Sequence, residues 1–142
     1  MKTKIKYLLF DIGGVIVLGR TFESERVNRT LVSWIKKKKK NYTICALTNN
    51  TAILDRLLKK KFKIYYIFDH IFNSAEMGLV KPNPKFFKYT LKKLKAKPKE
   101  CLFIDNNPEN IKAAKKIGFS VILFLTNKDF LEKIKNLILI KF

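Results

Sequence analysis

Asp11 closes an apolar run, Ile5 to Phe10, and stands just ahead of the pair Gly13-Gly14. The run, broken only by Lys6, reads as a buried strand. A lone carboxylate at the carboxyl end of such a strand adds little stability. Two glycines after it let the backbone turn sharply and let a ligand come close. In an open α/β sheet, ligands bind in the crevice outside the strand ends. Asp11 therefore reads as a carboxylate presented to a ligand. An Asp that only ends a strand and caps a turn looks the same locally, so the residues that accompany it decide the matter.

Three more polar clusters do accompany it. Thr48-Asn49-Asn50 closes a second apolar run, and Lys81-Pro82-Asn83-Pro84 precedes a helix. Asp105-Asn106-Asn107-Pro108-Glu109-Asn110 closes a third apolar run. In this order, each beside a strand or helix end, the clusters resemble the haloacid dehalogenase-like (HAD) hydrolase superfamily over nearly the whole chain. The resemblance is closest to phosphatase-like members with an "FDxGxV" opening and a "KPxPxxF" third motif. Any one motif is weak and the four together are specific.

The resemblance implies roles. Phosphoryl transfer to a carboxylate needs an in-line nucleophile, a cation against the phosphate, donors for its oxygens and an acid for the leaving oxygen. Asp11 matches the nucleophile that carries an aspartyl-phosphate. Thr48 matches the hydroxyl that, with neighbouring amides, holds the phosphate at a helix start. Gly13, Gly14 and Asn49 line that cradle, and Asn49 orients the adjoining loop. Lys81 matches the charge that keeps Asp11 ionised and balances the phosphate. Its flanking Pro82 and Pro84 fix its backbone, which sets it apart from a solvated lysine. Mg²⁺ is the implied cofactor, with Asp11, the Gly13 carbonyl, Asp105 and Asn106 as its ligand positions and Asn110 in support. Whether Asp105 ligates directly or through water stays open.

Three departures from the family pattern matter. Most phosphatase members place a second Asp, the general acid, two residues after the nucleophile; here that residue is Gly13. General acid catalysis supplies roughly 10²–10⁴-fold. Asn106 replaces the second Asp of the fourth motif and is a weaker ligand for a hard cation. Finally, the residues between Asp11 and Thr48 have room for one crossover helix and short loops, so no cap domain is expected. Caps exclude water and select small substrates; an open site suits a macromolecular end or a partner subunit acting as lid.

The elements that position these residues alternate. Strands are expected at 5–10, 42–47, 101–104 and 121–125, with a short one at Ile71-Phe72 in an irregular, aromatic stretch. Helices are expected at about 22–38, 51–61, 84–94, 108–117 and 128–136. Phe22, Val27, Leu31, Trp34 and Ile35 mark the first helix, with Glu23 and Glu25 at its start and Lys36 to Lys40 at its end, the order its dipole prefers. Pro84 suits a first helical turn, and Gly118 a stop. The apolar tail, Leu137 to Ile140, reads as core or as an edge strand offering a self-association edge. Such alternation implies a Rossmann-like three-layer α/β/α fold with a mostly parallel sheet of about five strands, residues 1–142 forming one domain.

The 142 residues suffice for one core, and 47% are hydrophobic, which excludes a disordered chain. Cys45 and Cys101 each lie in an apolar run and read as core thiols, not ligands; lone His70 has no carboxylate partner and reads as packing. Few cysteines fit a reducing cytoplasm. Lys2, Lys4 and Lys6 before an apolar run imitate a signal peptide, but Asp11 interrupts the run, no small-residue cleavage site follows, and it is too short to span a membrane. The formal charge of +20 attracts phosphates. Lysine carries nearly all of it, with Arg only at 20, 26, 29 and 56; dedicated nucleic-acid faces also use Arg. A compositional bias is therefore preferred to nucleic-acid binding.

The leading reading is a capless, Mg²⁺-dependent phosphatase-like hydrolase acting on a phosphorylated substrate, slow unless the leaving group is good. Two others stay open: a binding or scaffold protein with catalysis impaired, and a nucleic-acid end phosphatase. A true dehalogenase is the weakest, because its substrate contacts come from a cap.

Overall fold

The computed structural model describes residues 3–139. Strand β1 (Tyr7–Phe10) leads through a tight helical turn into a small antiparallel ribbon, β2 (Val17–Leu18) with β3 (Arg26–Val27), and then helix α1 (Arg29–Lys38). Next come β4 (Thr43–Thr48) and α2 (Leu54–Arg56), which widens into a π-helical turn over Leu57–Lys61. After β5 (His70–Asn73) the short α3 (Ser74–Met77) precedes α4 (Pro84–Leu94). The chain ends with β6 (Cys101–Asp105), α5 (Pro108–Ile117), β7 (Ser120–Leu123) and α6 (Asn127–Ile134), which also runs into a π-helical turn.

The five long strands form one parallel sheet in the order β5-β4-β1-β6-β7. β1 is central: Phe10 is level with Ala46 on one side and Ile104 on the other. A strand covered on both faces has no polar side, which is why Leu8, Leu9 and Phe10 run unbroken. Leu8 and Phe10 pack with Leu31, Ile35, Leu58 and Phe130 on one face; Leu9 packs with Phe86, Phe87 and Phe103 on the other. Phe87 makes edge contacts with Phe103 and Phe119 at 5.4 and 5.7 Å. The parallel order sends Asp11, the turn after Thr48 and the turn after Asp105 to the same edge of the sheet.

The expected doubly covered α/β architecture is present, with no separate domain between Asp11 and Thr48. Its local bounds differ in places. The first helix begins at Arg29, not near 22, because Asn28 caps it by accepting from the Leu31 amide. Phe22 is 63% exposed at the ribbon tip, and Glu23 and Glu25 precede the helix instead of facing its dipole. Lys36 to Lys38 do occupy the last turn. The irregular stretch contains a full edge strand, β5, paired to β4. The tail continues α6 as a helical turn over Lys135–Leu139 in place of an edge strand, and Ile140 lies outside the described residues. Cys45 and Cys101 are free and buried. Among the described residues no helix is long and apolar enough to cross a membrane.

Asn28 ties the ribbon to the body. Its amide nitrogen donates to the Val15 carbonyl (2.9 Å) and to Asn127 Oδ1 (2.8 Å), and Asn127 returns a bond at 2.9 Å. Asn28 is buried, so truncation strands several groups at once. Asn28→Ala is expected to cost about 2 kcal/mol, read as a lowered urea midpoint at unchanged slope.

Candidate active site

Lys81 is the centre of the site. Its chain is buried, and its ammonium donates to Asp11 Oδ1 at 3.0 Å, to Asp105 Oδ2 at 2.9 Å and to the Leu47 carbonyl at 2.6 Å. Three acceptors use all three protons of the ammonium. The three partners end β1, β6 and β4, so Lys81 binds together the carboxyl ends of adjacent strands. Its own backbone is held by Asn49: the Lys81 amide donates to Asn49 Oδ1 (2.9 Å) and the Asn49 amide donates to the Lys81 carbonyl (3.0 Å). Just beyond, Asn83 caps α4 and Pro84 opens it.

Asp105 is fully buried. Its Oδ2 also accepts from the Asn110 amide (3.0 Å), and its Oδ1 from the Asn107 backbone (2.9 Å). The Asn106 amide nitrogen lies 3.3 Å from both Asp105 Oδ1 and Asp11 Oδ2, linking the two carboxylates; an oxygen at that point would meet only acceptors. Gly14 makes this approach feasible. A Cβ there would overlap the Asn106 side chain, and its φ is +81°.

Above these groups is an open pocket of ≈ 220 Å³ lined by Asp11, Gly13, Asn49, Asn50, Lys81, Asn106, Asn107 and Asn110. Of the residues singled out from sequence, Asp11, Gly13, Asn49, Lys81, Asn106 and Asn110 meet here. Three stand back from it. Asp105 lies beneath, Gly14 lies behind Asn106, and Thr48 is buried at the end of β4, its hydroxyl accepting from the Asn50 amide at 3.3 Å. Sequence reasoning missed Asn50, Asn107 and the Leu47 carbonyl. Asn107 was readable as the cap before Pro108, since its side chain accepts from the Glu109 amide. The carbonyl carries no side-chain signal.

Two carboxylates share one ammonium. Burial pushes the Asp11 carboxyl up to about 6; Lys81 opposes the rise and Asp105 adds to it. The site thus lacks positive charge. Its reachable donors, the Asp11 carboxylate, the Gly13 backbone and the Asn106 amide, are all oxygens once the Asn106 amide turns over, a set that suits a hard cation. Asn110 Oδ1 is buried without a hydrogen-bond partner, as a group awaiting a cation's water would be. The residues fit Mg²⁺. Asp105 lies beneath the pocket, and its oxygens already accept from Lys81, Asn107 and Asn110.

Two measurements follow from this charge balance. Folding raises the Asp11 pKa from 3.8 to about 6, so the folded state holds that proton more tightly and loses stability as pH rises through this window. Asp11→Asn should therefore raise the metal-free melting temperature, with a gain that grows from pH 4 to pH 7 and reaches on the order of 2 kcal/mol. Asn106→Asp places a third carboxylate around one ammonium. It should lower metal-free stability and tighten Mg²⁺ binding about tenfold by calorimetry.

Comparison with known proteins agrees with this geometry. The model of the haloacid dehalogenase-like hydrolase family matches residues 21–118. Bifunctional epoxide hydrolase 2 of Rattus norvegicus is 29% identical over 125 residues, covering 84% of this chain and 23% of that protein. A flavin mononucleotide hydrolase of Arabidopsis thaliana is 33% identical over 93 residues, 66% of this chain and 37% of that protein. The chain spans about a quarter of the length of the first curated relatives it matches. In fold, a HAD family enzyme of Bacteroides thetaiotaomicron, solved with magnesium and inorganic phosphate, superposes with a TM-score of 0.79 at 20% identity, over 91% of this chain and 98% of that one. A predicted HAD-like family hydrolase of Porphyromonas gingivalis gives 0.80 at 18% identity, over 98% and 100%. With most of its length matched by the family model and its fold shared, the chain belongs to the haloacid dehalogenase-like hydrolase family.

Proposed function

We propose that the protein is a Mg²⁺-dependent phosphatase that works through an aspartyl-phosphate on Asp11. The observation that carries this reading is the buried Lys81 ammonium joining Asp11 and Asp105 at the floor of a phosphate-sized pocket. The flavin mononucleotide hydrolase among its relatives and the magnesium and phosphate complex of its Bacteroides neighbour support it. The two buried thiols suit a reducing compartment such as the cytoplasm.

Asp11 acts as nucleophile. Lys81 favours its ionised form, and the Asn-rich rim receives the phosphoryl oxygens. An Asp11 oxygen bonds to phosphorus as the ester P–O bond breaks, and the leaving oxygen takes its proton from solvent, because Gly13 offers none. Water then attacks the phosphorus of the acyl phosphate, releasing inorganic phosphate and restoring the carboxylate. Asp105 reacts with nothing; it holds Lys81 in place. The Asp11 carboxylate, the Gly13 carbonyl and the Asn106 side chain would hold Mg²⁺, which when bound offsets the charge of the phosphoryl group.

The missing acid makes the enzyme selective by leaving group. Acyl and aryl phosphates depart without a proton; alkyl phosphates do not. A Cβ built on Gly13 meets nothing within 4 Å, so a side chain is accommodated there. In a phosphatase panel with Mg²⁺, Asp11→Asn should abolish turnover. Gly13→Asp should raise kcat on alkyl phosphates by about 10²-fold and change aryl phosphates far less. A binding-protein reading gains from the same glycine; Mg²⁺-dependent binding of beryllium fluoride without turnover of any phosphate would select it.

A further inference from the structure

A second cavity opens beside the pocket. It is a groove of ≈ 460 Å³ between α4 and α5. Pro82, Pro84, Ala113 and Ile117 give it apolar walls, and Lys88, Lys112 and Lys116 line it against one acidic side chain, Glu109. Lys112 and Lys116 are one turn apart on α5 and face Lys88 on α4. None of the three has an ion-pair partner among the described residues.

The linings of the groove and the pocket are adjacent in the chain at two places. Pro82 directly follows Lys81, and Glu109 directly precedes Asn110, which bonds Asp105.

We infer that the groove holds the non-reacting end of the substrate, and that this end is an apolar or flat body carrying a second anionic group. The inference rests on the phosphatase reading of the Asp11 site. Three unpaired ammonium groups against one carboxylate favour an anion. Lysines are point charges without the planar fork of Arg, so they accept a phosphate, sulfate or carboxylate alike. The proline, alanine and isoleucine walls take the intervening body out of water. The volume is that of a small-molecule site. The occupant is therefore a compact ester with a second anionic group, such as an aryl phosphate that also bears a carboxylate, and not a polymer strand.

Interactions with a remote, unreacting group act equally in the ground and transition states, so they appear in KM and not in kcat. The probes are 4-carboxyphenyl phosphate, which has a flat body, an aryl leaving group and a second anion, and 4-nitrophenyl phosphate, which has no second anion. For the carboxylated ester, the double variant Lys112→Glu/Lys116→Glu should raise KM about tenfold at unchanged kcat. Its kinetics on 4-nitrophenyl phosphate should stay as in the parent. Lys59→Glu/Lys60→Glu, away from the groove, makes the same charge change and should alter neither substrate. Equal losses on both substrates, equal losses from both double variants, or no loss would overturn the inference. Calorimetry of the carboxylated ester with metal-free Asp11→Asn protein, with and without the groove substitutions, reads the same contact without turnover. A tenfold loss of affinity there with no turnover of either ester would keep the groove as an anion site and reject the phosphatase reading. Turnover without selective loss would do the reverse.

Discussion

Everything at the site depends on how one buried ammonium is shared. A lysine taken from water is costly to hold charged unless its protons are all accepted. Lys81 meets that condition with two carboxylates and a carbonyl, each ending a different strand. The bond network fixes where the strands end relative to one another, and so where the pocket lies. Asn49 on one side, and Asn107 and Asn110 on the other, hold the loops that carry these partners. The fold and the chemistry therefore rest on the same contacts.

The arrangement is also electrostatically incomplete. One positive charge faces two negative ones, and burial makes the shortfall felt at Asp11. Asn106 eases it by donating its amide to both carboxylates. A third carboxylate there would deepen the shortfall. The neutral amide avoids this, and Gly14 is the residue whose missing side chain lets the amide reach that far.

Much of this was legible in the chain, for identifiable reasons. The central strands are buried on both faces, so their apolar runs stand out and the polar residues closing them are conspicuous. Pro84, Pro108 and Gly118 punctuate α4 and α5, whose expected spans match the observed ones. The ribbon was hidden because Phe22 and Val27 fall at helical spacing with Leu31, although only Leu31 is in the helix; the cap at Asn28 was the overlooked signal. The extent of β5 is masked by the aromatic residues before it, Tyr65, Tyr66 and Phe68. The bonds that Asp105 accepts from Lys81, Asn107 and Asn110 are a tertiary fact with no trace in local sequence.

The ribbon between Asp11 and α1 has one more implication. Its base is anchored by Asn28, which bonds the carbonyls of Val15 and Ile16. Its tip is held from outside by Lys61, through the Phe22 carbonyl at 2.9 Å and Glu25 at 3.3 Å. Chain ends pinned this close together tolerate lengthening, since the entropy of a longer excursion grows only slowly with its length. Between residues 20 and 25 the polypeptide has a natural splice point. A grafted module placed there would leave the sheet, the lysine and its partners as they are.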